Sequence, residues 1–263
     1  MSYSRDMAHH PFFDGLSSPR ILAHRGLVTD DMREEGIAEN SVAAIAAAQA
    51  AGAEIIESDC HLTSDGVVVL FHDDNLQRVA GDPRALADVT LRELEDIMST
   101  RGGLATLAQA LDAFPESRFN IDVKAAGAAV PAGEIVAPHA RRVLLTSFSD
   151  KRRKTALAAA RRAGGSPATS AGYSVILRLA AALRILPLKG VLRRILRDID
   201  ALQIPEQSGP IRVVTKRLIA AAHANGVEVH VWTVNDIDDM RRLLAMGVDG
   251  IVTDVADRAL AAR

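Results

Sequence analysis

Short runs of apolar, strand-forming residues alternate with longer Ala-, Leu- and Arg-rich runs of helical character almost from end to end of this chain. No other feature narrows the fold so far. The strand-like runs are 20–24, 54–59, 67–72, 119–124, 143–147, 168–171, 201–204, 227–233 and 250–253. Helix candidates lie between most of them, at 41–51, 91–98, 104–114, 150–163, 174–197, 215–225 and 237–246. Asn40 and Asp150 are placed to cap helix starts, and Gly52, Gly164, Gly226 and Gly247 follow helix ends. Alternation of this kind predicts an α/β fold with a parallel sheet and crossover helices.

One pair breaks the pattern. Only seven residues separate Asp59 from Val67, too few for a parallel crossover. Thr63-Ser64-Asp65-Gly66 reads instead as a tight turn, making 57–69 a β-hairpin arm. Setting the returning strand aside leaves eight parallel strands in 263 residues, the count and size of a (β/α)8 TIM barrel. A doubly wound sheet lacks the Gly-rich fingerprint it needs after the first strand. No linker or repeat divides the chain, so residues 1–263 read as a single domain with a core of about 20–256.

Composition removes several function classes. The 31 Lys+Arg and 33 Asp+Glu leave a net charge of −2, with no basic excess to neutralise a nucleic-acid backbone. Hydrophobic residues at 48% and charged residues at 24% are values of a packed globular chain. Aromatics are only 3%, so the core must come from Ala, Leu, Ile and Val. A single cysteine, Cys60, excludes an internal disulfide and a Cys-based zinc cage, and its strand position makes it a packing residue. The polar start MSYSRDMAHHPFFDG has no signal-peptide core. The longest apolar stretch, 173–196, is interrupted by Arg178, Arg184, Lys189, Arg193 and Arg194 and cannot span a bilayer. A soluble, cytoplasmic protein is the expectation.

In a barrel of this type, chemistry sits at the carboxyl ends of the strands. The first strand ends in His24-Arg25-Gly26, the second carries Glu57-Ser58-Asp59, the hairpin returns to His72-Asp73, and the next parallel strand carries Asp122-Val123-Lys124. Residues i and i+2 share a strand face, so Glu57 and Asp59 point together, as do Asp122 and Lys124. Three converging carboxylates repel unless a cation lies between them, and oxygen-only ligands suit Mg²⁺ or Ca²⁺. A two-residue loop at Ser64-Asp65 sets His72 opposite Glu57, and one at Asp65-Gly66 sets it opposite Asp59. Two histidines, a divalent cation, an arginine and a lysine form a toolkit for cleaving a phosphate ester. Trp232 ends a strand at the active face, where it walls the pocket or packs in the core. His9, His10, His61, His139, His223 and His230 fit no convergent cluster and read as structural, with His61, two residues past Asp59, the exception to watch.

The order of these motifs resembles the glycerophosphodiester phosphodiesterase family. The matching stretches are Ala23-His24-Arg25-Gly26, Glu39-Asn40-Ser41, Glu57-Ser58-Asp59 through Leu62-Thr63-Ser64-Asp65-Gly66, and Phe71-His72-Asp73-Asp74-Asn75-Leu76. Thr90-Leu91-Arg92-Glu93-Leu94, Asn120-Ile121-Asp122-Val123-Lys124, Val231-Trp232-Thr233-Val234-Asn235 and Gly247-Val248-Asp249-Gly250-Ile251-Val252-Thr253-Asp254 follow. The resemblance implies a TIM-barrel hydrolase that releases glycerol 3-phosphate and an alcohol from a small-molecule glycerophosphodiester. It implies that Glu57, Asp59 and Asp122 hold one divalent cation, Mg²⁺ or Ca²⁺, and that His24 and His72 are the acid/base pair. Arg25 and Lys124 would bind phosphate with Asn40 close by, and the substrate's own hydroxyl would attack phosphorus to give a cyclic phosphate. A small insertion at about 73–118 would lie over the barrel mouth.

Two departures bear on substrate. The third metal position carries Asp122, as the related sphingomyelinase D enzymes carry Asp there, where the family usually has Glu. Residues 27–38 lengthen the loop after His24-Arg25-Gly26 and add Asp30, Asp31, Glu34 and Glu35, which either restrict the entering head group or form a tolerated surface insertion. The Leu/Ile-rich, basic segment 173–197 either covers the barrel or makes peripheral membrane contact. Alternative readings of the same site are a lysophospholipase D or sphingomyelinase-D-like activity on lipid, and an inactive binding barrel.

Overall fold

The computed structural model describes residues 10–185 and 188–263. Its strands are β1 (Arg20–His24), β2 (Ile55–Leu62), β3 (Val68–Leu70), β4 (Arg118–Val123), β5 (Val143–Thr146), β6 (Ala201–Pro205), β7 (Gln207–Ser208), β8 (Ile211–Arg212), β9 (Glu228–Trp232) and β10 (Gly250–Thr253). The helices before β5 are α1 (Asp30–Glu34), α2 (Val42–Ala50), α3 (Gln77–Ala80), α4 (Leu91–Met98), α5 (Leu107–Ala113) and α6 (Ala129–Val136). After it come α7 (Asp150–Arg162), α8 (Tyr173–Ile185), α9 (Lys189–Ile195), α10 (Lys216–His223), α11 (Ile237–Ala245) and α12 (Ala256–Ala261).

Parallel ladders run β5-β4-β2-β1-β10-β9-β6, so the first strand pairs with the last. The gap between β5 and β6 is closed by residues 168–171. Parallel bridges tie Leu144 to Ala168 and Ser170 to Ala201, and the N–H groups of Leu145 and Ala171 donate to Ala168 and Ala201 at 2.8 and 3.0 Å. The ring is the predicted (β/α)8 barrel, with one member held by single bridges rather than a ladder. That member, Ala168-Thr169-Ser170-Ala171, has only one β-branched side chain to favour an extended run.

Alternation along the strands sorts the barrel interior into layers. At the amino-terminal end, Leu22, Ile55, Leu144, Ala168, Ala201 and Val252 form an apolar cluster with Phe12 and Phe13. The two phenylalanines sit on a 3₁₀ turn, Pro11–Phe13, so the chain's N-terminal segment plugs the barrel floor. His10 fastens the plug: its Nδ1 accepts from Phe12 N–H at 3.1 Å and its Nε2 lies 2.8 Å from the Ser166 carbonyl. The next inward positions, among them His24, Glu57, Asn120 and Thr146, are polar and open upward. Outward positions such as Ile21, Ile56, Phe119, Leu145 and Cys60, which is fully buried, join the core between sheet and helices.

The hairpin departs from both predicted registers. Cys60 pairs with Leu70, His61 with Val69 and Leu62 with Val68. Thr63 N–H donates to Val67 C=O at 3.0 Å, leaving a three-residue loop, Ser64 to Gly66, with Gly66 at φ +84°. Glycine accepts that left-handed value without strain, which favours the longer loop. Continued, this register would set His72 opposite Ser58 rather than Glu57 or Asp59; the strand ends at Leu70, with one further bond from Phe71 N–H to Asp59 C=O at 2.9 Å.

Helix starts also shift. Ser41 and Ser149 are the N-caps, accepting from the N–H groups of Ala44 and Arg152, in place of Asn40 and Asp150. Asn40 lies at φ +58°, outside the extended region an N-cap needs. Asp150 instead anchors the start of α8, accepting from Ser174 N–H and Oγ–H at 2.9 and 2.6 Å. The single helix predicted over 174–197 is two, α8 and α9, and residues 186–187 between them lie outside the described residues, as does His9. Helix α6 was not predicted. Between the hairpin and α5, a satellite cluster of Val69, Phe71, Leu76, Leu86, Leu94 and Met98 packs separately, whereas α5 joins the main core through Leu107 and Leu111.

Candidate active site

A cavity of about 1050 Å³ opens at the carboxyl ends of the strands. It is lined by His24, Arg25, Glu57, Asp59, His72, Asp122, Lys124 and Trp232, so eight of the nine predicted site residues meet in one place. Asn40 does not line it. Its side chain is buried behind the floor, where Ser58 Oγ donates to Asn40 Oδ1 at 2.6 Å and Asn40 Nδ2 reaches Asp59 Oδ2 at 3.4 Å. Residues 27–38 line none of it. Trp232 is at the wall, edge-to-face with Phe148 at 5.6 Å.

Each histidine carries a carboxylate on Nδ1. His24 Nδ1 is 2.6 Å from Asp254 Oδ1, and His72 Nδ1 is 2.7 Å from Asp73 Oδ1. Such partners fix the ring and its tautomer, leaving Nε2 to work. Burial works to lower the His24 pKa, but the Asp254 hydrogen bond and the Glu57 charge outweigh it, and the net shift is upward. Asn235 holds Asp254 in turn, donating from Nδ2 to Oδ2 at 2.7 Å and accepting Asp254 N–H at 2.9 Å. On the other side Arg78 bridges Asp73 and Glu39 at 2.7 and 2.6 Å, and Glu39 also accepts from Arg25 at 2.6 Å. His61 sits beneath: its Nε2 is 3.0 Å from the His72 carbonyl, and burial lowers its pKa. It touches the backbone of a site histidine without entering the cavity.

The partners Asp254 and Asp73 were matched in motifs but given no role by the sequence reading. Asp254 follows β10 directly, so the strand-end rule that found His24 would have found it. The other histidines have structural contacts: His223 with Asp249 at 2.8 Å, His230 with Glu228 at 2.9 Å, and His139 with Arg142 at 3.1 Å.

The base of the cavity is a charge network. Lys124 Nζ lies 3.0 Å from Asp59 and 2.8 Å from Asp122, and Arg25 Nε lies 3.2 Å from Asp59. Burial pushes the Glu57 carboxyl well up, reinforced by the Asp59 charge. Burial also raises Asp122, although Lys124 pulls against it. Burial opposes the Lys124 charge, but Asp59 and Asp122 prevail and raise its pKa. Two buried oxygens facing this region, Asn120 Oδ1 and Asp122 Oδ1, have no hydrogen-bond partner.

A model of the glycerophosphoryl diester phosphodiesterase family matches residues 24–258. The chain belongs to this family. Among relatives of that family, a probable glycerophosphodiester phosphodiesterase 2 of Mycobacterium tuberculosis is 37% identical over 240 residues, covering 90% of this chain and 87% of the relative. A lysophospholipase D of Rattus norvegicus is 24% identical over 274 residues, covering 89% of this chain and 83% of its own. The fold is that of a glycerophosphodiester phosphodiesterase from Thermotoga maritima, with a TM-score of 0.69 at 22% identity, over 92% of this chain and 97% of that one. A phosphodiesterase from Oleispira antarctica, solved with the product sn-glycerol-3-phosphate, gives 0.70 at 21% identity, over 93% and 96%.

The donor set fits the divalent cation that the family resemblance implies. It is oxygen-only, one Asp122 oxygen lacks a partner, and burial pushes the Glu57 carboxyl up despite the Arg25 N–H at 3.3 Å and His24 Nε2 at 4.0 Å. As the side chains stand, no three His, Cys, Asp or Glu among the described residues are gathered closely enough to ligate one ion. Lys124 occupies the space between Asp59 and Asp122.

Proposed function

We propose that this protein hydrolyses a glycerophosphodiester to glycerol 3-phosphate and an alcohol, with His24 and His72 as the acid/base pair. The observation that carries the reading is the pair of histidines in one cavity, each with Nδ1 committed to a carboxylate, beside Arg25 and Lys124. His24, whose pKa is raised, is the acid of the pair and gives a proton from Nε2 to the departing alkoxide oxygen. His72 takes the proton of the glycerol hydroxyl that attacks phosphorus, and the P–O bond to the alcohol breaks as the ring closes. In the second half the roles reverse: His24 deprotonates water, which attacks phosphorus, and His72 returns a proton to the glycerol oxygen. Arg25 and Lys124 hold the phosphoryl oxygens as charge builds there.

Glu57, Asp59 and Asp122 would hold the divalent cation, either Mg²⁺ or Ca²⁺, which supplies Lewis-acid charge at the phosphoryl group. Asn40 acts from behind by orienting Asp59. The reading treats residues 1–263 as one domain, with a core of about 20–256 and a small insertion at about 73–118, working in the cytoplasm on a small diester. Among the described residues no helix is long and apolar enough to cross a membrane. A second substrate class, a lysophospholipid, is favoured by one observation: part of the cavity lining is apolar, built from Ile176, Leu177, Ala180 and Ala181 of α8.

The test is release of glycerol 3-phosphate from glycerophosphocholine and glycerophosphoethanolamine with Mg²⁺, with Ca²⁺ and with EDTA. Metal-dependent turnover should fall by roughly 10²–10⁴-fold in His24→Ala and in His72→Ala, and Glu57→Ala should abolish the metal dependence. Turnover that survives both histidine substitutions would overturn the assignment.

A further inference from the structure

Helix α8 is apolar on two sides. Val175, Leu179 and Leu183 are buried in the core. Tyr173, Leu177 and Ala181, spaced four residues apart on another face, line the cavity and stay exposed. The exposure is not scattered. Phe148, Tyr173, Leu177, Ile185 and Ile211 are all exposed, from 51% to 83%, and all line this one opening. Leu188 and Val191, at 55% and 42%, stand at the start of α9, which packs against α8. Among the exposed large hydrophobics of the described surface, only Val42 and Val130 lie elsewhere. A contiguous apolar rim around a cavity marks an interaction site.

Charge identifies the occupant. The segment 173–197 carries Arg178, Arg184, Lys189, Arg193, Arg194 and Arg197 and no Asp or Glu, in a chain whose net charge is −2. Arg178 Nε donates to the Ser174 carbonyl at 3.2 Å, and no salt bridge among the described residues involves any of the six. A second copy of this chain would bring the same positive charge against it. An anionic bilayer offers both complements at once, acyl chains for the rim and negative headgroups for the cations. We propose that α8, α9 and the β7–β8 hairpin form a peripheral docking surface for anionic membranes, seating the cavity mouth at the headgroup layer. Resting on the hydrolase reading, the consequence is that an acyl-bearing diester is drawn from the bilayer along the apolar wall of α8.

The experiment is co-sedimentation with vesicles of phosphatidylcholine, with and without phosphatidylglycerol. The full chain is compared with Arg193→Glu/Arg194→Glu and with Leu188→Asp/Val191→Asp, and thermal melts confirm that each variant folds. The same proteins are assayed on glycerophosphocholine in solution and on lysophosphatidylcholine held in the vesicles. The wild type should bind only phosphatidylglycerol-containing vesicles, and high salt should release it. Both variants should bind at least about tenfold more weakly, with hydrolysis of the lysolipid reduced in step and hydrolysis of the soluble diester unchanged. No binding by the wild type, or binding that ignores both variants, overturns the proposal. A wild-type dimer on size exclusion that either variant dissociates overturns it in favour of a second copy. If no diester is hydrolysed while anionic vesicles still bind, the docking surface stands and the hydrolase reading fails.

Discussion

At the scale of single residues, Asp254 has a measurable consequence. It keeps His24 protonated to higher pH than an ordinary histidine, against the burial that would lower it. In Asp254→Asn the raising contribution goes and burial remains, so the alkaline limb of the kcat/KM profile should move to lower pH. An unmoved limb would show that another group sets it. Below the active site, Glu228 is paired with Arg20 at 2.8 Å and His230 at 2.9 Å. Burial alone would raise its pKa, but the His230 and Arg20 contacts bring it down to about 2 from 4.5. A depressed carboxylate stabilises the fold above its unfolded pKa and loses that contribution as pH falls through its folded one. The contribution, on the order of 3 kcal/mol, should therefore disappear between about pH 4.5 and 2. Glu228→Gln should lower stability at neutral pH by that order and flatten the acid side of a denaturation-versus-pH series. The sequence showed the ionisable groups themselves because strand ends bring them to one rim. It did not show Asn40 behind the floor: a left-handed backbone and a buried Ser58 contact leave no mark in residue spacing.

At the scale of elements, the unpredicted helix α6 explains its own illegibility. Its sequence, AVPAGEIV, holds a proline and a glycine, the residues least suited to a helix interior. Pro131 is the third residue of the helix, within the first turn, where no N–H is needed. Gly133 lies against α7, and a Cβ there would stand 2.2 Å from the Ala156 carbonyl oxygen and 2.8 Å from Ala159 Cβ. What reads as a helix breaker is a requirement of close helix packing. Gly133→Ala should destabilise the protein by about 1–3 kcal/mol through overpacking, despite the better helix propensity of alanine, and a thermal melt checks it. The hairpin was legible as an element but not in its register, because loop length turned on a single glycine conformation.

At the scale of the whole molecule, the barrel is a column with an apolar floor and a polar mouth, and the floor is finished by the N-terminal segment. The sequence reading began the core at about residue 20, since nothing in the polar stretch before it signals that Phe12 and Phe13 enter the barrel. Phe12 is fully buried there. Phe12→Ala should lower stability by about 3–5 kcal/mol, measured by denaturant titration, with the active-site geometry and the metal requirement retained. A variant as stable as the wild type would show that the plug is dispensable.

The pairing of β1 with β10 has a meaning for synthesis on the ribosome. The plug and the first strand are made before the other strands, yet the neighbour that encloses them, Gly250–Thr253, is made after them all. Until then Leu22 and the two phenylalanines lack one side of their housing. Ring closure is therefore a late, long-range event, and a nascent chain that stalls before β10 would leave the floor of its barrel open to chaperones and proteases.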